Sequence, residues 1–110
     1  MGDCKVTSAN QRPYATGMLT HVVCFKFDAT DIAEEAAQRL RSMAGKIPSL
    51  LSIEAGVDVV RSARSYDVGL ITKFDDLAGL EAYQVHPVHV EVANYIKTHS
   101  KGSVAVDFVT

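Results

Sequence analysis

Residues 19–27 read LTHVVCFKF, and this stretch decides the fold. Its side chains alternate. Leu19, His21, Val23, Phe25 and Phe27 share one side, and Thr20, Val22, Cys24 and Lys26 the other, which is the period of a β-strand. Both sides carry apolar residues, so both need a cover. Helices from the same chain can cover one. The other has to be covered from elsewhere.

Downstream, Ile32, Ala36, Leu40, Met43 and Ile47 recur every three or four residues, the spacing of an amphipathic helix. Thr30 is its expected N-cap, with Asp31, Glu34 and Glu35 near the positive end of the dipole. Gly45 and Pro48 are expected to close it near residue 47. A second strand follows over residues 51–59, where Leu51, Ile53, Ala55, Val57 and Val59 alternate with polar or small residues. A third spans residues 66–74, with Tyr66, Val68, Leu70, Thr72 and Phe74 on one face. Asp75 and Asp76 can cap a short helix running to about Tyr83. Pro87 suits the first turn of a further helix striped with Val88, Val92, Tyr95 and Ile96. Val104, Val106 and Phe108 alternate in a fourth strand.

The order is β–α–β–β–α–β, with the last two helices forming one crossover. That predicts an α+β, ferredoxin-like fold: a four-stranded antiparallel sheet with helices on one face. The bare face would show Val22, Cys24, Gly56 and Ile71 beside Lys26, Glu54 and Lys73. Lys26 and Lys73 are expected to pair with an acid such as Glu54. The economical cover is a second copy, sheet against sheet, in a C2 homodimer.

Composition sets outer bounds. The chain has 110 residues, 47% hydrophobic and 22% charged, which suits one domain with its own core. Eleven Lys and Arg against thirteen Asp and Glu leave a net charge of −2, so no basic footprint for nucleic acid exists. No apolar run approaches the ~20 residues of a membrane span. Cys4 and Cys24 make no CxxC motif and no disulfide framework, so a reducing, cytoplasmic compartment is expected. Residues 1–17 (MGDCKVTSANQRPYATG) are polar and aperiodic and lack the apolar core of a secretory signal. They read as a loosely packed or added leader ahead of a domain at residues 18–110.

The candidate chemistry lies in the histidines. His86 and His89 stand three residues apart across a helix start, and Tyr83 three residues before His86. If the first strand turns its His21 side toward the helices, His21 looks at Tyr83 and His89 across a small apolar cavity. A neutral imidazole takes a proton near pH 7, and a phenol donates to a carbonyl or enolate oxygen. Together they fit proton abstraction beside a carbonyl, with no metal and no cofactor. The plain alternative is structural: Tyr83 and His89 pack locally, and His86 caps the helix. A zinc reading of His86 and His89 would need a third ligand, and Glu81, Glu91 and His21 have no characteristic spacing for it. His99, beside Lys97 and Lys101, complements a helix end.

Taken together, these stretches resemble the stress-responsive A/B barrel domain family. Residues 19–27 look like its opening strand, and Gly45-Lys46-Ile47-Pro48 like its helix-to-strand junction. Residues 66–75 resemble its third strand, and Val106-Asp107-Phe108 its last. Residues 80–89, LEAYQVHPVH, resemble its Y-x-x-H-P-x-H signature. The likeness runs from residue 19 to residue 109. It implies a dimeric α/β barrel of two ferredoxin-like chains. One member, the plant olivetolic acid cyclase, closes a polyketide by intramolecular aldol condensation. By resemblance its catalytic tyrosine and histidine match Tyr83 and His89, and a pocket histidine matches His21. A further pocket histidine falls at Val68 here, which implies a more apolar cavity and a different substrate.

The expected site therefore has His89 and Tyr83 as catalytic groups, with His21, Val23, Phe25, Val68, Leu70 and His86 around the substrate. The expected function is cyclase-like or isomerase-like proton transfer on a small apolar carbonyl compound. The alternative is a non-enzymatic stress-response or ligand-binding protein. The expected partners are a second copy and a small molecule, with neither nucleic acid nor membrane.

Overall fold

The computed structural model describes residues 17–110, so the leader, Gly17 apart, lies outside the described residues. In chain order the elements are β1 (Leu19–Phe27), α1 (Thr30–Arg41), β2 (Ser52–Val57), β3 (Val68–Phe74), α2 (Leu77–Val85), α3 (Pro87–His99) and β4 (Ser100–Val109). The four strands form one sheet in the order β2–β3–β1–β4, and every neighbouring pair is antiparallel. This is the ferredoxin-like arrangement, with the helices on one face.

The period-2 pattern becomes burial. In β3, Val68, Leu70, Thr72 and Phe74 are buried, while Gly69, Ile71 and Lys73 are exposed. The helix-facing side of β1 buries Leu19, Val23 and Phe27 in the same core. From α1, Ala33, Ala36, Ala37 and Leu40 close over the sheet. The small side chains of the three alanines let the helix backbone lie near the strands. Among the described residues no helix is long and apolar enough to cross a membrane.

Several local expectations need correction. Thr30 is not the N-cap of α1. Ala29 takes that place in extended conformation without a side-chain cap, and its carbonyl accepts the Ala33 N–H at 3.1 Å. The helix also ends at Arg41, not near residue 47. The Ser42 hydroxyl bonds the Arg39 carbonyl at 2.6 Å, and tight turns follow: Met43 N–H to Leu40, Ala44 to Arg41, Lys46 to Met43. Gly45 supplies the left-handed step, φ 76°. Met43 and Ile47 remain buried. Successive three-residue turns thus preserve the helical spacing after the helix has stopped.

The second strand is shorter than expected, since Val59 and Val60 project into solvent beyond it. The connection from β2 to β3 is instead tied down by charge. Asp58 accepts the Arg61 N–H at 2.7 Å, and Arg61 holds φ 57°. The Arg61 guanidinium reaches the buried Asp67 at 2.9 Å, and Asp67 accepts the Phe27 N–H at 2.7 Å. That N–H holds the Asp67 carboxyl below the usual carboxylate range, with Arg61 adding to the effect and burial opposing it.

Lys26 does not pair with Glu54. Its ammonium donates to the Ser65 carbonyl at 2.6 Å and lies 5.3 Å from the centre of the Tyr66 ring. Register explains the difference. Glu54 lies opposite Ile71, which lies opposite Val22, whereas Lys26 lies further along β1 opposite Gly102.

The face away from the helices is read from the same register. One row across the sheet is Glu54, Ile71, Val22, Val106. The next is Gly56, Gly69, Cys24, Val104. Phe108 continues the stripe on β4. Ile71, Val104, Val106 and Phe108 are all exposed. The apolar side of β4 thus enlarges the bare patch expected from Val22, Cys24 and Ile71.

Candidate functional site

The site forms where α2 hands over to α3 above β1. Asp76 starts α2 by accepting the Gly79 N–H at 2.9 Å. The helix stops at Val85 because Pro87 follows. His86 then caps α3: its Nδ1 accepts the Val88 N–H at 3.1 Å, and Pro87 fills the first turn, where no N–H is needed. Its side chain is committed to this turn.

Tyr83 and His89 sit on either side of the junction. Tyr83 is 1% exposed, and its ring packs on Phe74 with centroids 5.0 Å apart. The His89 ring lies 4.3 Å from that of Tyr83, centroid to centroid. The His21 ring meets Tyr83 edge-on at 6.5 Å. The three groups therefore converge, as the expected topology requires.

The hydrogen bonds fix the tautomers. His89 Nδ1 lies 3.1 Å from the Gln84 carbonyl. A carbonyl only accepts, so Nδ1 carries the proton and Nε2 keeps the lone pair. His21 Nδ1 bonds the Asp107 carboxylate, which stands directly across the β1–β4 ladder. The same logic leaves its Nε2 unprotonated in the neutral ring. Burial holds the His89 pKa below the ordinary histidine value; the Gln84 carbonyl opposes this, and the charge of His21 adds to it. Burial alone pushes the Tyr83 phenol up to about 12. Near neutrality His89 is thus a proton acceptor and Tyr83 a proton-bearing donor.

A cavity of about 270 Å³ opens beside these rings. His21, Val23, Phe25, Leu70, Tyr83 and His89 line it, six of the eight expected site residues. Val68 and His86 do not. Val68 packs in the core opposite Phe25, and His86 caps α3. Helix α3 adds Val92, Ile96 and Lys97, and β4 adds Ser100 and Ser103. Asp107 was not among the expected residues, because its partnership with His21 spans 86 positions and exists only through strand register. Strand alternation opposite His21 was the signal that could have found it. Among the described residues, no group of three or more His, Cys, Asp or Glu is placed to hold a metal ion.

Comparison with known proteins places these features in context. The family described as the stress responsive A/B barrel domain matches residues 19–110. None of the curated proteins matches the sequence. Among solved structures, a dimeric ferredoxin-like protein of unknown function from Thermobifida fusca is 25% identical; the match covers 93% of this chain and 99% of that one, with a TM-score of 0.77. Another, from a Jannaschia species, is 29% identical over 84% and 98% of the two chains, TM-score 0.70. A hydroxynitrile lyase from Passiflora edulis shares the fold at 12% identity, covering 86% and 94%, TM-score 0.74.

Proposed function

Because this chain belongs to the stress responsive A/B barrel domain family, we propose that it is a homodimer whose subunits each bind a small apolar carbonyl compound and move a proton on it. The observation that carries the chemistry is the Tyr83–His89 pair, 4.3 Å apart at a cavity wall, with His89 Nδ1 engaged by Gln84. His89 Nε2 takes a proton from the carbon beside the carbonyl. The C–H electron pair moves into a new C=C bond, and the carbonyl oxygen becomes an enolate. The Tyr83 hydroxyl donates a hydrogen bond to that oxygen. Return of the proton to another carbon is isomerisation; attack of the enolate on a second carbonyl is aldol closure. His21, oriented by Asp107, positions the substrate.

The dimer is supported by the apolar row Ile71, Val22, Val106 with Val104 and Phe108, and by fold-mates that are described as dimeric. A cytoplasmic setting belongs to the same reading, on the lack of a CxxC motif or disulfide framework in the sequence. The Passiflora edulis enzyme supports only the general point that this fold can carry chemistry.

Solvent-deuterium incorporation beside the carbonyl, followed by NMR on a panel of ketones and β-keto acids, tests the reaction without knowledge of the product. His89→Gln is expected to slow exchange by about 10²–10⁴-fold. Tyr83→Phe is expected to slow it by about 10²-fold or more. Exchange at the same rate in wild type and both variants would leave a ligand-binding protein with structural Tyr83 and His89.

A further inference from the structure

The cavity is a slot with two unlike ends. At one end stand Tyr83, His89 and His21. Along β1 the lining passes through Val23 to Phe25, which lies opposite Ser103. From His21 to Phe25 is four residues of strand, about 13 Å. Along α3 the lining runs from His89 through Val92 and Ile96 to Lys97, eight residues of helix or about 12 Å. The two walls end together, because Ser100 follows α3 directly and borders the same far end. The slot therefore joins a proton-transfer end to an end bearing one ammonium and two hydroxyls, with apolar walls between.

Charge orients what enters. The Asp107 carboxylate stands at the histidine end. No acid among the described residues lines the cavity, and Asp28 and Glu35 are held by Lys101 at 3.3 Å and Arg39 at 2.9 Å. Among the described residues no carboxylate pairs with Lys97. The Asp107 carboxylate is itself taken up by His21, so an anionic head finds a side-chain ammonium only at the Lys97 end.

We infer that the ligand is an elongated carboxylic acid with its carbonyl near the opposite tip: Lys97, Ser100 and Ser103 hold the carboxylate, and the ketone lies against Tyr83 and His89. This inference rests on the proton-transfer reading and adds the substrate class to it. A medium-chain oxo acid with a terminal methyl ketone fits the length and volume of the slot. Lys97 binds and orients; it takes no part in the proton transfer.

The test compares 9-oxodecanoate with decan-2-one, which keeps the methyl ketone and lacks the carboxylate. Binding is measured by titration calorimetry, and exchange beside the ketone by NMR in deuterium oxide. Wild-type protein is expected to bind the oxo acid about tenfold more tightly than the ketone. Lys97→Gln is expected to erase that preference and raise KM for exchange on the oxo acid, with kcat and decan-2-one binding little changed. Ser103→Ala is expected to have a smaller effect of the same sign, which guards against misfolding of a single variant. Equal affinity of the wild type for the two compounds, no saturable binding of either, or an unaltered preference in Lys97→Gln would overturn the inference. Should His89-dependent exchange on decan-2-one persist in any of those cases, the proton-transfer reading stands and only the anionic end is wrong.

Discussion

At the residue scale, one buried ring, Tyr83, and one half-buried ring, His89, make folding stability depend on pH in opposite senses. Burial lowers the His89 pKa from its ordinary 6.5. The unfolded chain therefore binds more protons below pH 6.5, so the contribution of neutral His89 is present above that pH. It is lost as pH falls through the depressed folded value. Tyr83 runs the other way, from 10.0 up to about 12. Its stabilisation is complete below pH 10 and is lost as pH rises toward 12, by roughly 2–3 kcal/mol. Melting temperature against pH should fall off at both ends. His89→Gln should flatten the acid limb, and Tyr83→Phe the alkaline one. Limbs unmoved by these variants would mean that neither ring is shielded from water as described. Both rings were legible in the sequence because the Tyr83-to-His89 spacing is local. Asp107 was not, since nothing in the spacing of residues 21 and 107 announces a contact.

At the element scale, the least legible parts are the ends. Alternation located β1, where no residue is fully exposed, and the body of β3, which alternates buried and exposed from Val68 rather than from Tyr66. It overran β2, because Val59 continues the pattern after the ladder has ended and is left in solvent. The end of α1 was hidden by turns that repeat its spacing. His86 was legible in both its roles from the HPVH run, and the capping role is the one the hydrogen bonds display. The tie at Asp67 is not legible in the sequence, where Asp67 is one more polar residue on a strand face. Yet it joins β1, the β2–β3 connection and Arg61. Asp67→Ala strands the Phe27 N–H and should cost about 1–3 kcal/mol in urea unfolding. Asp67→Asn, which keeps an acceptor, should cost less. The charge on Asp67 stabilises above the ordinary carboxylate value of 3.8, and this is lost as pH falls through its lowered folded value. Equal stability of wild type and Asp67→Ala would show the tie to be incidental.

At the scale of the whole molecule, the two-sided strand at residues 19–27 proved the most informative segment. Its inner side is buried under helices, and its outer side joins Ile71, Val104, Val106 and Phe108 in a continuous apolar face. Monomers seldom expose such a contiguous patch without a use for it. Val106→Asp places a charge in the middle row and should raise the dimer dissociation constant roughly a hundredfold or more. Sedimentation equilibrium reads this directly. A wild-type chain that sediments as a monomer at micromolar concentration would refute the proposed assembly.

The neighbours His21 and Val22 point to opposite sides of the same strand. One peptide unit thus divides an imidazole that faces the slot from an isopropyl group that faces outward. Substitutions at Val22 and at His21 therefore act on opposite faces of one sheet, so the proposed self-association and the proposed chemistry can be dissected one side chain at a time.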